Sequence, residues 1–99
     1  MILVIGSVVV KEGGMEQALA ASREHVARSR GEPGCIAHAV HRDDDNPHKL
    51  VFVEEWADQA ALQQHFVVPA SRAFGKLLAS LAVEPPSLAV YDAQKIMSS

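Results

Sequence analysis

The sequence predicts a small α+β domain with the ferredoxin-like order β-α-β-β-α-β and an antiparallel sheet. Runs rich in β-branched residues alternate with segments whose apolar residues recur every three or four positions, and Gly or Pro clusters separate them. The chain has 99 residues, of which 48% are apolar and 21% charged, which suits one hydrophobic core. We therefore expect a single domain over residues 1–99.

The first strand and the first helix follow directly on one another. Residues 2–10 are β-branched almost throughout and lead into a Gly-Gly turn, which is typical of a strand. Helical spacing then runs from Met15 to Ser29, and Gly31 with Pro33 provides the stop signal.

Two further β-rich runs predict a hairpin. Residues 35–41 and 50–56 are separated by the polar stretch 42–47, which has the composition of a turn.

The second helix is predicted in two pieces, followed by a last strand. Asp58 is placed to cap the first piece, and Pro69 fits the first turn of the second. The two prolines at 85–86 end this helical region, and residues 88–97 are predicted as the last strand.

Charge and composition argue against several kinds of partner. A net charge of -3 and scattered basic residues favour neither nucleic acid nor a membrane surface. No apolar run reaches the length of a membrane helix, and the N-terminus lacks the pattern of a signal peptide. The single Cys35 agrees with a reducing compartment. We therefore expect a cytoplasmic protein.

The two central strands predict a homodimer. Seven of the nine residues at 2–10 are Ile, Leu or Val, and the third strand begins Leu-Val-Phe-Val, so both faces of these strands should be covered. Helices can cover one face. A second copy of the same sheet is the simplest cover for the other, with a monomer that exposes an apolar face as the alternative.

Three motifs identify a family. They are Glu-Pro-Gly-Cys at 32–35, Glu-x-Trp at 54–56 and His-Phe-x-x-Pro at 65–69. With Lys11-Glu12-Gly13 after the first strand and a match that continues through Phe74, this set resembles the antibiotic biosynthesis monooxygenase domain family over nearly the whole chain. The resemblance implies a dimeric α+β barrel and, for many members, oxidation of a quinol or polyphenol by O2 without metal or flavin.

The chain departs from the family pattern at two positions. Ala70 stands where a His commonly follows the proline of the third motif, and this favours the alternative of a protein without catalytic activity. Gly6 stands where haem-degrading relatives have Asn, which disfavours haem cleavage.

Three residues are the candidates for catalysis. His65 is the candidate base, because imidazole titrates near neutral pH, although a helix His that only bonds a carbonyl is the alternative. Trp56 can provide an aromatic wall or belong to the core. Glu54 lies on the same strand face, either as a buried acid that holds His65 or the substrate, or as the ion-pair partner of Arg72 or Arg42.

Four more residues are candidates for binding the substrate. His38 is expected on an apolar strand face, where it would meet Phe52 across the hairpin. Phe66 and Phe74 would line the pocket or the core.

Metal ligands are not expected. The three consecutive aspartates at 43–45 predict a solvated turn, and a zinc site at His41 and His48 is a minor alternative. Cys35 is expected to be a small buried side chain rather than a reactive thiol.

The predicted activity is therefore a cofactor-independent monooxygenase acting on a small aromatic substrate and O2. Two alternatives remain: an isomerase of a small oxygenated metabolite, and a dimer that binds a hydrophobic molecule without catalysis.

Overall fold

Four strands and three helices form the fold in the predicted order. The computed structural model describes residues 1–99. The elements are β1 (Ile2–Val9), α1 (Met15–Ser29), β2 (Cys35–Arg42), β3 (Lys49–Trp56), α2 (Gln59–Val67), α3 (Pro69–Leu81) and β4 (Ser87–Asp92). The sheet is antiparallel with the order β2-β3-β1-β4, so the predicted ferredoxin-like α+β fold is confirmed.

The last strand is shorter than predicted. We expected it over residues 88–97, but β4 ends at Asp92. Its only ladder partner is β1, whose first residue, Ile2, lies opposite Asp92. One more pair of backbone hydrogen bonds joins Met1 to Ala93, and the residues after Ala93 are not part of the sheet.

The turn before β2 depends on a glycine that packs against α2. Gly34 has a φ of +82°, and a Cβ built there would lie 2.5 Å from the Cβ of Ala61. Glycine is the residue that accepts both this backbone conformation and this close approach. The turn is therefore fixed directly against the second helix.

Both predicted helix starts in the C-terminal half are confirmed. The Asp58 side chain accepts a hydrogen bond of 2.8 Å from the backbone N–H of Ala61. Pro69 occupies the first turn of α3, where its missing N–H costs nothing. None of the three helices has the length and apolar character needed to cross a membrane.

The three helices cover one face of the sheet, and the core lies between them. Strand β3 alternates strictly, with every second side chain buried under the helices. At one end of the sheet lies what we call the apolar cluster: Val8, Val10, Ala18, Leu50, Phe52, Leu78 and Leu81. At the other end lies a smaller group, the Trp56 cluster: Ile2, Val4, Trp56 and Leu62.

The opposite face of the sheet carries no helix. Leu3, Val51 and Val53 on this face are half-buried, and Ile5 is 36% exposed. Within one chain, therefore, only one of the two faces that we expected to be covered is covered.

Candidate active site

Four ionisable side chains are buried together on the helix side of the sheet. His25, His38, Glu54 and His65 come from α1, β2, β3 and α2, and their exposed fractions lie between 2% and 6%. Ionisable groups are seldom so deeply buried unless they are paired or functional. This set, which we call the polar cluster, is the candidate site.

The strand register brings His38 to Glu54. Residues 38 and 54 are direct partners in the β2–β3 ladder, and Val40 lies opposite Phe52. His38 therefore lies opposite Glu54 and not opposite Phe52 as expected, a difference of two residue pairs along the hairpin. Since β3 alternates, Glu54 and Trp56 lie on the same buried face, as predicted.

One carboxylate oxygen of Glu54 faces three potential donors. Glu54 Oε1 accepts a hydrogen bond of 2.9 Å from Trp56 Nε1. The same oxygen lies 3.3 Å from His38 Nε2 and 4.0 Å from His65 Nε2. Burial alone would raise the pKa of the Glu54 carboxyl, but His38 and the Trp56 N–H outweigh it, and the pKa lies below its ordinary value. Glu54 is therefore held as an anion.

The expected pairing of Glu54 with an arginine is wrong. Every ion pair in the structure joins a histidine to a carboxylate. Arg42 lies opposite Leu50, at the far end of the β2–β3 ladder from Glu54. The alternative, in which Glu54 is a buried acid beside His65, describes the structure.

His65 is oriented by a carboxylate that the residue analysis did not single out. Its Nδ1 lies 2.7 Å from Oε1 of Glu32, in the turn before β2. An ionised Glu32 accepts a proton held on Nδ1, so the lone pair of His65 is on Nε2, the nitrogen nearer Glu54. The signal was present in the sequence, because Glu32 opens the Glu-Pro-Gly-Cys motif.

His25 is the other residue that sequence reasoning missed. Its ring stacks on Phe74 with centroids 4.1 Å apart and lies 5.2 Å from the rings of both His38 and His65. Its Nδ1 accepts a hydrogen bond of 2.8 Å from Nη2 of Arg28. Burial, followed by the neighbouring His38 and His65, lowers the pKa of His25 to about 3, so the ring is neutral.

The helical period could have revealed His25. Ser22 and Ser29 belong to the predicted inward face of the first helix and are both fully buried. Position 25 is three residues after the first and four before the second, which places it on the same face.

A largely apolar cavity of about 240 Å³ adjoins the polar cluster. His25, Glu54, His65 and Ser71 are among its polar lining residues, and no Lys or Arg lines it. Its apolar side is formed by Val8, Phe52, Phe66, Phe74, Leu78 and Leu88. The cavity therefore combines an aromatic wall with a few convergent polar groups, as ligand pockets do.

Trp56 and His38 lie behind this cavity and do not line it. Trp56 is fully buried, its ring is 4.6 Å from that of His65, and its N–H is used by Glu54. The interpretation of Trp56 as a wall against the substrate is therefore wrong. Trp56 contacts Glu54 and His65, and His38 lies beside Glu54. Glu54 and His65 are the residues that face the cavity.

The family model described as antibiotic biosynthesis monooxygenase matches residues 1–77. The chain belongs to this family. Among solved structures, a protein described as antibiotic biosynthesis monooxygenase is 29% identical, with a TM-score of 0.89 and coverage of 96% of this chain and 100% of that one. A protein of Shewanella oneidensis is 30% identical, with a TM-score of 0.84 over 91% of this chain and 87% of that chain.

A further relative is an uncharacterised protein of Synechocystis sp., 32% identical over 90 residues and 91% of this chain. The chain spans 61% of the length of that relative.

The three family motifs converge in space. Glu32 of the first motif bonds His65 of the third, and Glu54 of the second lies next to the same ring. The motifs thus supply two members of the polar cluster, Glu54 and His65, and the carboxylate that bonds His65, while His25 and His38 lie outside the motifs.

The hairpin loop lies outside this site. Asp43 Oδ2 accepts hydrogen bonds from the backbone N–H groups of Asp45 and Asn46, as expected of a turn, and His41 and His48 are exposed.

Cys35 is only half-buried, and burial followed by the carboxylates of Glu32 and Glu54 raises the pKa of its thiol. A raised pKa agrees with the prediction that this thiol is not reactive.

Proposed function

We propose that the protein is a monooxygenase that oxidises a small quinol or related phenol with O2, using His65 as the base. One observation carries the proposal. A buried imidazole, fixed at Nδ1 by Glu32 at 2.7 Å, lines an apolar cavity next to a second carboxylate. This is the arrangement that proton abstraction from a phenolic hydroxyl requires.

The electrostatics of the cavity favour a neutral substrate that donates hydrogen bonds. Glu54 contributes a negative charge, and no Lys or Arg among the lining side chains would bind an anionic group. A carboxylate or phosphate would be repelled. A phenolic hydroxyl can donate to His65 Nε2 and be deprotonated there.

The size of the cavity favours one or two rings. An apolar cavity of about 150 Å³ holds a benzene molecule, and this cavity measures about 240 Å³. Phe52, Phe66 and Phe74 supply faces and edges for aromatic stacking.

The proposed chemistry needs no external reductant. A deprotonated hydroquinone is electron-rich enough to reduce O2 itself in a site that excludes water. One oxygen atom enters the ring and the other leaves as water, so that hydroquinone and O2 give a hydroxyquinone and H2O. The proposal therefore requires neither metal nor flavin.

Oxygen uptake with a panel of one-ring and two-ring quinols tests this function. Loss of the base in His65→Ala should reduce kcat by about 10²-fold to 10⁴-fold. Glu32→Gln keeps the shape but weakens the orientation of the ring, and should cost about 10-fold to 100-fold. His41→Ala, at an exposed position, is the matched control and should behave as the unmodified protein.

Uptake that persists unchanged in His65→Ala would remove His65 from the mechanism. No uptake with any quinol, together with tight binding of these compounds, would favour a binding protein. Conversion of a substrate without oxygen consumption would favour an isomerase.

We further propose that the protein acts as a homodimer through the open face of its sheet. Leu3, Ile5, Val51 and Val53 form an apolar patch on this face. A patch of a few hundred Å² is costly to leave in water at about 25 cal/mol per Å². A second copy of the same sheet offers a complementary surface of the same chemistry.

Sedimentation equilibrium tests the dimer at micromolar concentration. The expected mass is twice the 10.7 kDa of one chain. Ile5→Arg should place a charge in the interface and give monomers, whereas Glu24→Arg, exposed on α1, should leave the dimer intact. A folded monomer of the unmodified chain would refute the interface.

A further inference from the structure

We propose that the polar cluster is also a binding site for a late transition-metal ion such as Zn²⁺ or Co²⁺, with His25, His38 and His65 as ligands. This goes beyond the proposed oxygenase activity, which needs no metal. One ring nitrogen of each histidine lies within 4.8 Å of the other two, and all three side chains are buried. The donors come from three different elements, so the site is built by the fold rather than by a local motif.

The spacing of the nitrogens suits an empty site that contracts on binding. Zn–N bonds of about 2.0–2.1 Å in a tetrahedron separate the nitrogens by about 3.3 Å. The three nitrogens must therefore approach one another by at most about 1.5 Å. Binding therefore requires rotation about the side-chain bonds of the three histidines. Three imidazoles favour Zn²⁺, Co²⁺, Ni²⁺ or Cu²⁺ over Mg²⁺ or Ca²⁺, which prefer oxygen ligands.

His38 provides an independent sign that a ligand is missing. Its side chain is 2% exposed, yet neither ring nitrogen has a hydrogen-bond partner. The 3.3 Å approach of Nε2 to Glu54 lacks the geometry of a hydrogen bond. Buried imidazole nitrogens are normally satisfied, and a metal ion would satisfy one of them.

The surroundings of the cluster match those of metal sites. Glu32 accepts from Nδ1 of His65, which leaves Nε2 free to bind, as carboxylates do behind zinc-bound histidines. Glu54 supplies a nearby negative charge and an oxygen that can complete the coordination. Its anionic charge offsets part of the charge of a divalent ion.

Arg28 opposes binding in a way that can be measured. It donates a hydrogen bond to Nδ1 of His25 in the empty site. If Nδ1 binds the metal, Arg28 is displaced; if Nε2 binds, the ring proton moves to Nδ1, which can no longer accept. Either way this bond is lost and a cation remains nearby. Removing the arginine should therefore tighten metal binding by about tenfold.

Binding would also inhibit the oxygenase, a consequence that rests on the proposed function. The metal occupies Nε2 of His65, the lone pair that takes the substrate proton. Metal binding is measured without substrate. A negative result for the metal site therefore leaves the oxygenase proposal standing, and a negative result for the oxygenase leaves the metal site standing.

Titration with Co²⁺ tests the site in the His41→Ala/His48→Ala variant, which lacks both exposed histidines and keeps the three of the polar cluster. We expect one ion per chain, visible absorption typical of nitrogen-ligated Co²⁺, and quenching of the single tryptophan, Trp56, whose ring is 4.6 Å from His65. His38→Gln in this background should weaken binding at least 100-fold, with circular dichroism confirming the fold.

Arg28→Leu provides a readout that does not depend on removing a ligand. It should tighten Co²⁺ binding about tenfold, while the matched Arg23→Leu, exposed on the same helix, should leave it unchanged. Absence of stoichiometric binding in the double variant would overturn the proposal. Equal affinity in folded His38→Gln, or no tightening in Arg28→Leu, would also overturn it.

Discussion

The two ends of the buried layer are chemically different. The apolar cluster contains only aliphatic and aromatic side chains, such as Leu50 and Phe52, whereas the polar cluster beyond it contains three histidines and a glutamate. The same β3 alternation buries both. Side chains such as Leu50 at the first end stabilise the fold, while at the second end burial keeps His25 neutral and the contacts with His38 and Trp56 keep Glu54 ionised. Mutations at the two ends should therefore have different effects on the protein.

Leu50→Ala should have the largest effect on stability and little on the site. Leu50 is fully buried in the apolar cluster, and its truncation should lower the free energy of unfolding by roughly 3 to 5 kcal/mol. Val83→Ala, at a position that is 67% exposed, is the control and should cost far less. Urea denaturation measures both. Equal costs would show that burial of Leu50 contributes nothing to stability.

Gly34→Ala should disturb the polar end through the backbone. The new methyl group would meet Ala61 in a positive-φ conformation, at a cost of about 2 to 4 kcal/mol. Gly13→Ala is the matched control, because Gly13 has a φ of +84° but open space around it, so only the backbone term of about 1 kcal/mol applies. Thermal unfolding compares the two. Gly34→Ala should cost less in an Ala61→Gly background than in the unmodified protein, and an equal cost in both backgrounds would exclude crowding as the cause.

The smallest expected effect is a pH dependence of the free energy of unfolding, caused by the polar cluster. The pKa of His25 falls from 6.5 to about 3 on folding, so below pH 6.5 the unfolded chain binds a proton that the folded chain does not. The free energy of unfolding should therefore decrease as pH falls, by about 1.4 kcal/mol per unit in the steepest part.

Denaturant titrations of the unmodified protein and His25→Gln between about pH 6 and pH 4.5 measure this term. That range lies above the region where Glu54, with its lowered pKa, begins to lose its stabilising charge. His25→Gln should flatten the dependence, and His41→Gln, at an exposed position, should not. Parallel curves for all three proteins would contradict a neutral buried His25.

Local patterns were sufficient to predict the elements. The β-branched run in β1, the cap at Asp58 and the proline at 69 all concern neighbours in sequence, and each produced an element in its predicted place. The end of β4 was missed because a strand ends where its partner ends, and the pairing of Ile2 with Asp92 joins the two termini of the chain.

The site was only partly predictable for the same reason. Alternation placed Glu54 beside Trp56, and the family motif indicated His65, but the bond from Glu32 to His65 spans 33 positions and depends on the Gly34 turn. Whether a histidine meets a phenylalanine or a glutamate across a hairpin depends on register, which the residues 42–47 did not reveal. Side-chain partners of this kind come from tertiary structure.

The break between α2 and α3 bears on the width of the cavity in this chain. Val68 alone is extended between the two helices, so a single residue joins the segment carrying His65 and Phe66 to the one carrying Phe74. A change in the φ and ψ of Val68 would alter the distance between these side chains without disturbing either helix. The width of the cavity can thus change while His65 and Glu32 keep their relative geometry.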